Sequence, residues 1–266
     1  MTLGDVMAEE AHNEPKYWVG IGASAGGLEA LRAFVRSVPR NLNATYIIAQ
    51  HLSPSHRSML PEILGRETDF EVPSVVDSVL PQADRIYSTP QTKNLEIDGY
   101  KLRRTSPSRD AGAPKPSVDR LFHTLARDKG EQGVAIVLSG TGSDGARGLR
   151  EVRGAGGITI AQDEMSAKYT GMPVAAVETG CVDLVMSPEE IGAQFATILE
   201  RREGLHTLKP PPVHENGLSE LIHLVNQQTR VNIHQYKAAT LPRRVERRMA
   251  NDSATSSDDY VTVART

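Results

Sequence analysis

Five short β-rich runs alternate along this chain with stretches whose apolar residues recur at helical spacing, and that alternation constrains the fold most. The runs are Trp18–Ile21, Thr45–Ala49, Val134–Leu138, Gly157–Ala161 and Val182–Met186. Leu28, Leu31, Phe34 and Val35 share a helical face after the first run, and Leu121, Phe122 and Leu125 share another behind Ser117, a natural N-cap. Ser187-Pro-Glu-Glu190 has capping-box spacing with proline at the first helical position, and opens a helix reaching to about Arg202. Apolar strands separated by helices predict an α/β fold, a doubly wound and mainly parallel sheet covered on both faces. One stretch departs from this pattern. In "NLEIDGYKLRR" Leu95 and Ile97 alternate, Asp98-Gly99 suits a type I′ turn, and Tyr100 and Leu102 alternate back, which predicts an antiparallel hairpin appended to the sheet.

With 266 residues, 39% of them apolar, the chain can bury a substantial core. "RTSPSRDAGAPKP" (Arg104–Pro116) reads as a linker or surface loop rather than a lid. The prolines of "HTLKPPPVHENG" (His206–Gly217) cannot continue the preceding helix. The expected organisation is a flexible N-terminus over 1–16, a catalytic domain over 17–204, a proline-rich linker over 205–217 and a helical segment over 218–266. There is no internal repeat. A net charge of −3 gives no general pull toward nucleic acid or anionic membrane. The lone Cys181 excludes an intramolecular disulfide framework and suits a reducing cytosol. No secretory signal opens the chain, and no apolar run reaches the roughly 18–20 residues that span a bilayer. A cytoplasmic protein without membrane insertion is expected.

In a parallel α/β sheet, reactive groups gather beyond the carboxyl ends of the strands. Ser24 follows the first run, His51 the second, and Asp144 lies a few residues past the third. A hydroxyl, an imidazole and a carboxylate are the parts of a nucleophile, its general base and the group that orients the base. Each also has a plain structural reading: a small residue in a tight turn, a hydrogen-bonded histidine, an Asp-Gly turn. His56 competes as the base, and Asp163, which also follows a strand run, competes as the carboxylate. In the catalytic reading the Ala25 N–H, at the mouth of a helix starting near Gly27, is a natural oxyanion donor. Gly22, Gly26 and Gly27 give the turn conformational latitude and let substrate approach.

Rival motifs fit less well. Gly20-Ile-Gly22-Ala-Ser-Ala25 matches a relaxed dinucleotide fingerprint, but the second strand ends Ala49-Gln50-His51, where that site needs a carboxylate. No Gly-Lys-Ser/Thr follows the glycines, and neither the histidines nor the single cysteine has metal-ligand spacing, so no cofactor or metal is expected. The order Ser, His, Asp also differs from the Ser, acid, His order of the α/β-hydrolases.

Together "VGIGASAGGLEAL", "IIAQHLSPSHRSMLPEIL", "PSVDRLF", "VAIVLSGTGSDGARGL" and "GGITIAQDE…YTGMPVAAVETG" resemble the catalytic domain of the chemotaxis protein-glutamate methylesterases (CheB type) between about Tyr17 and Glu200. The resemblance implies a Rossmann-like domain that hydrolyses glutamate γ-methyl esters on the cytoplasmic helices of chemoreceptors, often with deamidation of receptor glutamines. It places the family's serine, histidine and aspartate on Ser24, His51 and Asp144, favouring Asp144 over Asp163. It also assigns a second oxyanion amide to Thr141, where the family commonly has methionine; Ala25 stands where threonine is frequent. Regulatory members carry an N-terminal receiver domain. Here residues 1–16 precede the first strand run, so control by phosphorylation is not carried over.

"LSELIHLVNQQTRVNIHQYKAATLPRRVERRMA" is similar to the helical N-terminal domain of the chemotaxis receptor methyltransferases (CheR type). Lys237, Arg243, Arg244, Arg247 and Arg248 stand there against Glu246. A basic stripe is often only a solvated face; the resemblance instead implies docking on acidic receptor helices. No methyl-donor loop follows, so no methyltransferase activity is expected. The alternative to the esterase is a non-catalytic receptor-binding module within a signalling fusion, with a nucleotide-binding protein third.

Overall fold

The computed structural model describes residues 14–51, 59–73, 75–89, 93–107 and 115–200. In chain order the strands are β1 (Tyr17–Ala23), β2 (Ala44–Gln50), β3 (Ser78–Val79), β4 (Arg85–Ser88), β5 (Asn94–Asp98), β6 (Lys101–Thr105), β7 (Gly133–Val137), β8 (Ile158–Gln162) and β9 (Leu184–Met186). The helices are α1 (Gly27–Ser37), α2 (Leu60–Leu64), α3 (Val118–Lys129), α4 (Ala146–Gly154), α5 (Gly171–Glu178), α6 (Pro188–Ala193) and α7 (Phe195–Glu200).

Six strands form one parallel sheet in the order β4-β2-β1-β7-β8-β9. Counting those six in chain order gives 3-2-1-4-5-6, the doubly wound Rossmann arrangement, whose direction reverses between β1 and β7. Every residue of β2, β7 and β8 is buried, as strands covered on both faces require. One face carries Trp18, Ile47, Ala135, Val137 and Ala161 against Leu121, Phe122 and Leu125 of α3, Leu149 of α4 and Met172 of α5. On the other, Phe34 of α1 meets Tyr46 and Phe195 edge-on at centroid distances of 6.0 and 5.9 Å.

The expected hairpin exists with two differences. Asp98 pairs with Lys101, so the turn is Gly99-Tyr100, with Gly99 at φ 59°, rather than Asp98-Gly99. Its strands join β3 in a separate three-stranded antiparallel sheet instead of extending the parallel one. Leu95, Ile97 and Leu102 of that sheet pack under α3. The Ser187 capping box forms in both directions, with Glu190 N–H to Ser187 Oγ at 3.2 Å and Ser187 N–H to Glu190 Oε2 at 2.9 Å. The helix it opens is interrupted at Gln194 and resumes as α7. The edge strand β4 lay hidden in "RIYS", too short to show a pattern. Residues 108–114 of the Arg104–Pro116 loop, His56, the 205–217 linker and the 218–266 segment with Arg243, Arg244, Arg247 and Arg248 lie outside the described residues.

Candidate active site

The two central strands set the geometry. Ala23 at the end of β1 pairs with Gln50 at the end of β2, so Ser24 and His51 are the next residue on each of two adjacent strands. The His51 amide donates to Ala23 O at 2.9 Å, and the Ser24 amide donates to Ser139 O, just past β7, at 3.0 Å. Ser24 therefore stands where the sheet reverses direction, the crevice in which open α/β sheets bind ligands.

Beyond Ser24 the chain makes a tight turn. The Gly27 amide donates to Ser24 O at 2.9 Å, and Gly26 has φ 71° and ψ 0°, the second corner of a type II turn. A side chain at Gly26 would be strained, and its Cβ would lie 2.8 Å from Ser139 Oγ. Because N–H and C=O of a trans peptide point oppositely, fixing Ser24 O on Gly27 turns the Ala25 N–H the other way. The turn's central carbonyl, Ala25 O, accepts the Ser139 hydroxyl at 2.9 Å.

A second loop follows β7. Gly140 packs against the Ser24 turn so closely that a Cβ on it would lie 2.9 Å from Ser24 Cβ. Gly140 O accepts the Met172 amide at 2.9 Å, which by the same peptide geometry directs the Thr141 N–H away from α5. Thr141 is exposed. The serine is thus flanked by two peptides, each with its carbonyl tied into the fold.

His51 Nε2 lies 2.8 Å from Asp144 Oδ2. The His51 side chain is 18% exposed and that of Asp144 only 6%. With Nε2–H donating to the carboxylate, Nδ1 is the lone-pair nitrogen left to receive a proton. Asp144 also accepts the first two amides of α3, Val118 N–H on Oδ2 at 2.8 Å and Asp119 N–H on Oδ1 at 2.9 Å. Burial pushes the Asp144 carboxyl up, but the hydrogen bond from His51 and those of the Asp119 and Val118 amides outweigh it and hold the group below its ordinary value. The rival carboxylate, Asp163, is engaged in its own loop. Its Oδ1 accepts the Met165 and Ser166 amides at 2.9 and 3.0 Å, and its Oδ2 the Ser166 hydroxyl at 2.5 Å.

Three residues that sequence reasoning did not single out complete the surroundings. Ser139, fully buried, ties the Ser24 turn to the loop before α5, accepting the Tyr169 amide at 3.0 Å. Gln162, at the end of β8, accepts the Ser139 amide at 2.8 Å. Asp119 accepts the Gly145 and Gly148 amides at 3.0 and 2.8 Å. Burial, with the charge of Asp144 added, pushes the Asp119 carboxyl up against the lowering effect of those amides and of Arg147. The signal for Ser139 was a small polar residue one past a strand run, inside "VAIVLSGTGSDGARGL"; that for Asp119 was its place in the first turn of a helix, inside "PSVDRLF". Among the described residues no group of three or more His, Cys, Asp or Glu converges as metal ligands.

The family model for CheB methylesterase matches residues 19–195, and that for the CheR methyltransferase all-alpha domain matches residues 216–266. A protein-glutamate methylesterase/protein-glutamine glutaminase of Anaeromyxobacter dehalogenans is 36% identical over 192 residues, covering 68% of this chain and 54% of its own. One from the group 3 operon of Rhizobium meliloti is 35% identical over 184 residues, covering 69% and 52%. The chain thus spans about half the length of these curated relatives. The crystal structure of the Thermotoga maritima CheB methylesterase catalytic domain superimposes with a TM-score of 0.63 at 25% identity, covering 68% of this chain and 98% of that one.

Proposed function

Since the chain belongs to the CheB methylesterase family, we propose that it is a serine hydrolase removing methyl esters from glutamate side chains on the cytoplasmic helices of chemoreceptors, with glutamine deamidation as a companion activity. The observation that carries this reading is the His51–Asp144 pair, joined at 2.8 Å one strand away from Ser24.

Ser24 Oγ attacks the ester carbonyl while His51 Nδ1 takes its proton. Asp144 holds the ring in the tautomer that leaves Nδ1 free and stabilises the imidazolium as it forms. The tetrahedral oxyanion is received by the Ala25 and Thr141 amides, and Gly26 and Gly27 shape the turn that presents the first of them. His51 returns the proton to the departing methoxide, giving methanol and an acyl-enzyme. Water, activated by the same nitrogen, releases the glutamate and restores Ser24. Every bond change is met by these side chains and amides, with no cofactor in the sequence.

The domain division at about 204 and 218 is supported by the gap between the two family matches, 19–195 and 216–266. The segment after the linker is read as a receptor-docking piece in which Arg243, Arg244, Arg247 and Arg248 face acidic helices. Among the described residues no helix is long and apolar enough to cross a membrane, and the same reading puts the chain in the cytoplasm, beside its substrate.

The test is methanol release from a methyl-esterified receptor fragment by the parent chain and by Ser24→Ala, His51→Ala and Asp144→Ala. Release by the parent and loss in all three variants is expected. A parent that binds the fragment and releases no methanol would make the chain a docking module instead.

A further inference from the structure

We propose that Asp119 is a positioning residue for the acid–base pair: by capping the helix that follows Asp144 it fixes that carboxylate, and through it the ring of His51. The inference rests on the hydrolase reading above for its kinetic consequence and on geometry alone for its structural one.

The N-cap of α4 is Gly145, at φ 97°, a residue with no side chain to satisfy the helix's first amides. The cap comes from another helix. Asp119 Oδ1, projecting from the first turn of α3, accepts both the Gly145 amide at 3.0 Å and the Gly148 amide at 2.8 Å. The debt runs the other way too. Asp144, the residue before Gly145, accepts Val118 N–H and Asp119 N–H, the first two amides of α3, while the next, Arg120 N–H, goes to Ser117 Oγ at 3.2 Å. Each helix N-terminus is capped by a carboxylate belonging to the other. Negative charge at both ends is favoured by the helix dipoles, which allows two carboxylates to share this corner.

The consequence for His51 follows from where the bonds fall. Asp144 Oδ2 carries Val118 N–H and the imidazole, and Oδ1 carries Asp119 N–H, so the carboxylate cannot rotate without breaking a bond. Its Cα position is set by the adjoining Gly145 amide, which is held by Asp119. The helices meet closely at Gly148, where a Cβ would lie 2.8 Å from Asp119 O and 2.6 Å from Phe122 Cβ, so the pair has little room to slide. Besides Asp144, the charged group facing Asp119 is Arg147, whose Nε lies 3.6 Å from Oδ2.

The experiment compares the full chain with Asp119→Ala, Asp119→Asn and Asp119→Glu. Methanol release from a methyl-esterified glutamate peptide gives kcat and KM. The low-field NMR proton of the His51 Nε2–H···Asp144 bond, assigned by its loss in Asp144→Ala, gives a readout that needs no turnover. Asp119→Ala is expected to lower kcat about 10–100-fold with KM within about 2-fold, and to broaden the low-field proton. Asp119→Asn keeps an oxygen able to accept both amides and is expected to stay within about 3-fold of the parent. Asp119→Glu keeps the charge but displaces the acceptor, and is expected to fall with alanine. Parent-like kcat and resonance in Asp119→Ala would overturn the proposal, as would a parent-like glutamate variant beside an impaired asparagine variant. If the alanine variant does not fold, the asparagine–glutamate comparison still decides. A parent that hydrolyses no ester while the resonance follows the expected pattern sinks the hydrolase reading and leaves the positioning role standing.

Discussion

The Ser139 hydroxyl lies 2.9 Å from the carbonyl oxygen of Ala25, and that bond fixes the turn after β1 from the end of β7. The same hydroxyl accepts the Tyr169 amide, so one buried side chain sets three loops around the serine. Ser139→Ala leaves Ala25 O and Tyr169 N–H without their partner. The expected result is a stability loss of about 1–3 kcal/mol by urea denaturation, with kcat falling at least several-fold as the Ala25 amide loses its fixed direction.

Gly26 offers a sharper test of the turn. Its φ of 71° and the closeness of Ser139 Oγ make alanine costly there, by about 1–3 kcal/mol. Methanol release by Gly26→Ala should fall further than its thermal stability alone would explain. Equal losses in Gly26→Ala and in an equally destabilised variant far from the site would show that the turn's shape does not matter to turnover.

Asp144→Asn is isosteric but offers the imidazole an amide group in place of one carboxylate oxygen. The wrong tautomer of His51 then prevails, and kcat is expected to drop roughly 10³–10⁴-fold with little change in KM. A drop below ten-fold, measured by methanol release, would shift the orienting role elsewhere.

The same residue governs part of the acid stability. Asp144 is held below its ordinary value in the folded state, so its contribution is fully present above the unfolded-state value and is lost as pH falls through the folded one. Asp119 is displaced upward, so its contribution has the opposite sign: the folded state takes up that proton first, gaining stability as pH falls. Denaturation midpoints taken from neutral pH into the acid range should therefore show the Asp144→Asn deficit shrinking on acidification. A deficit that stays constant down to pH 2 would mean that the carboxylate's charge contributes nothing to folding.

Ser187→Ala removes one half of a capping box that follows β9, three strands along the sheet from β1 and Ser24. A loss of about 1 kcal/mol is expected, with kcat and KM unchanged, from parallel denaturation and activity measurements. This variant is the reference against which the losses at Ser139 and Gly26 can be judged.

The sheet was legible in the sequence because its strands are buried on both faces and read as continuous apolar runs such as "VAIV". Strand β4 was not, because four residues at an edge carry no pattern. The hairpin turn slipped by one residue because Asp-Gly chemistry admits either placement and cross-strand pairing decides. Ser24, His51 and Asp144 could be nominated because strand ends are positions the chain itself marks. Asp119 and Ser139 lie inside two of the motifs that carry the resemblance, but their roles could not be read there, because they bind main-chain amides and carbonyls 20 or more residues away and no local spacing records a partner that arrives only when helices and strands pack.

The reversal of strand order between β1 and β7 also divides the residues of the proposed mechanism. Ser24 and His51 are contributed by the chain before Arg104–Pro116, and Asp144 with both helices of the cross-capped pair by the chain after it. A single nick between residues 104 and 116 would therefore yield two halves, one with the proposed nucleophile and base, the other with the proposed orienting carboxylate alone. On the proposed mechanism neither half holds a working set, so turnover would gauge directly whether the two halves have come together in register.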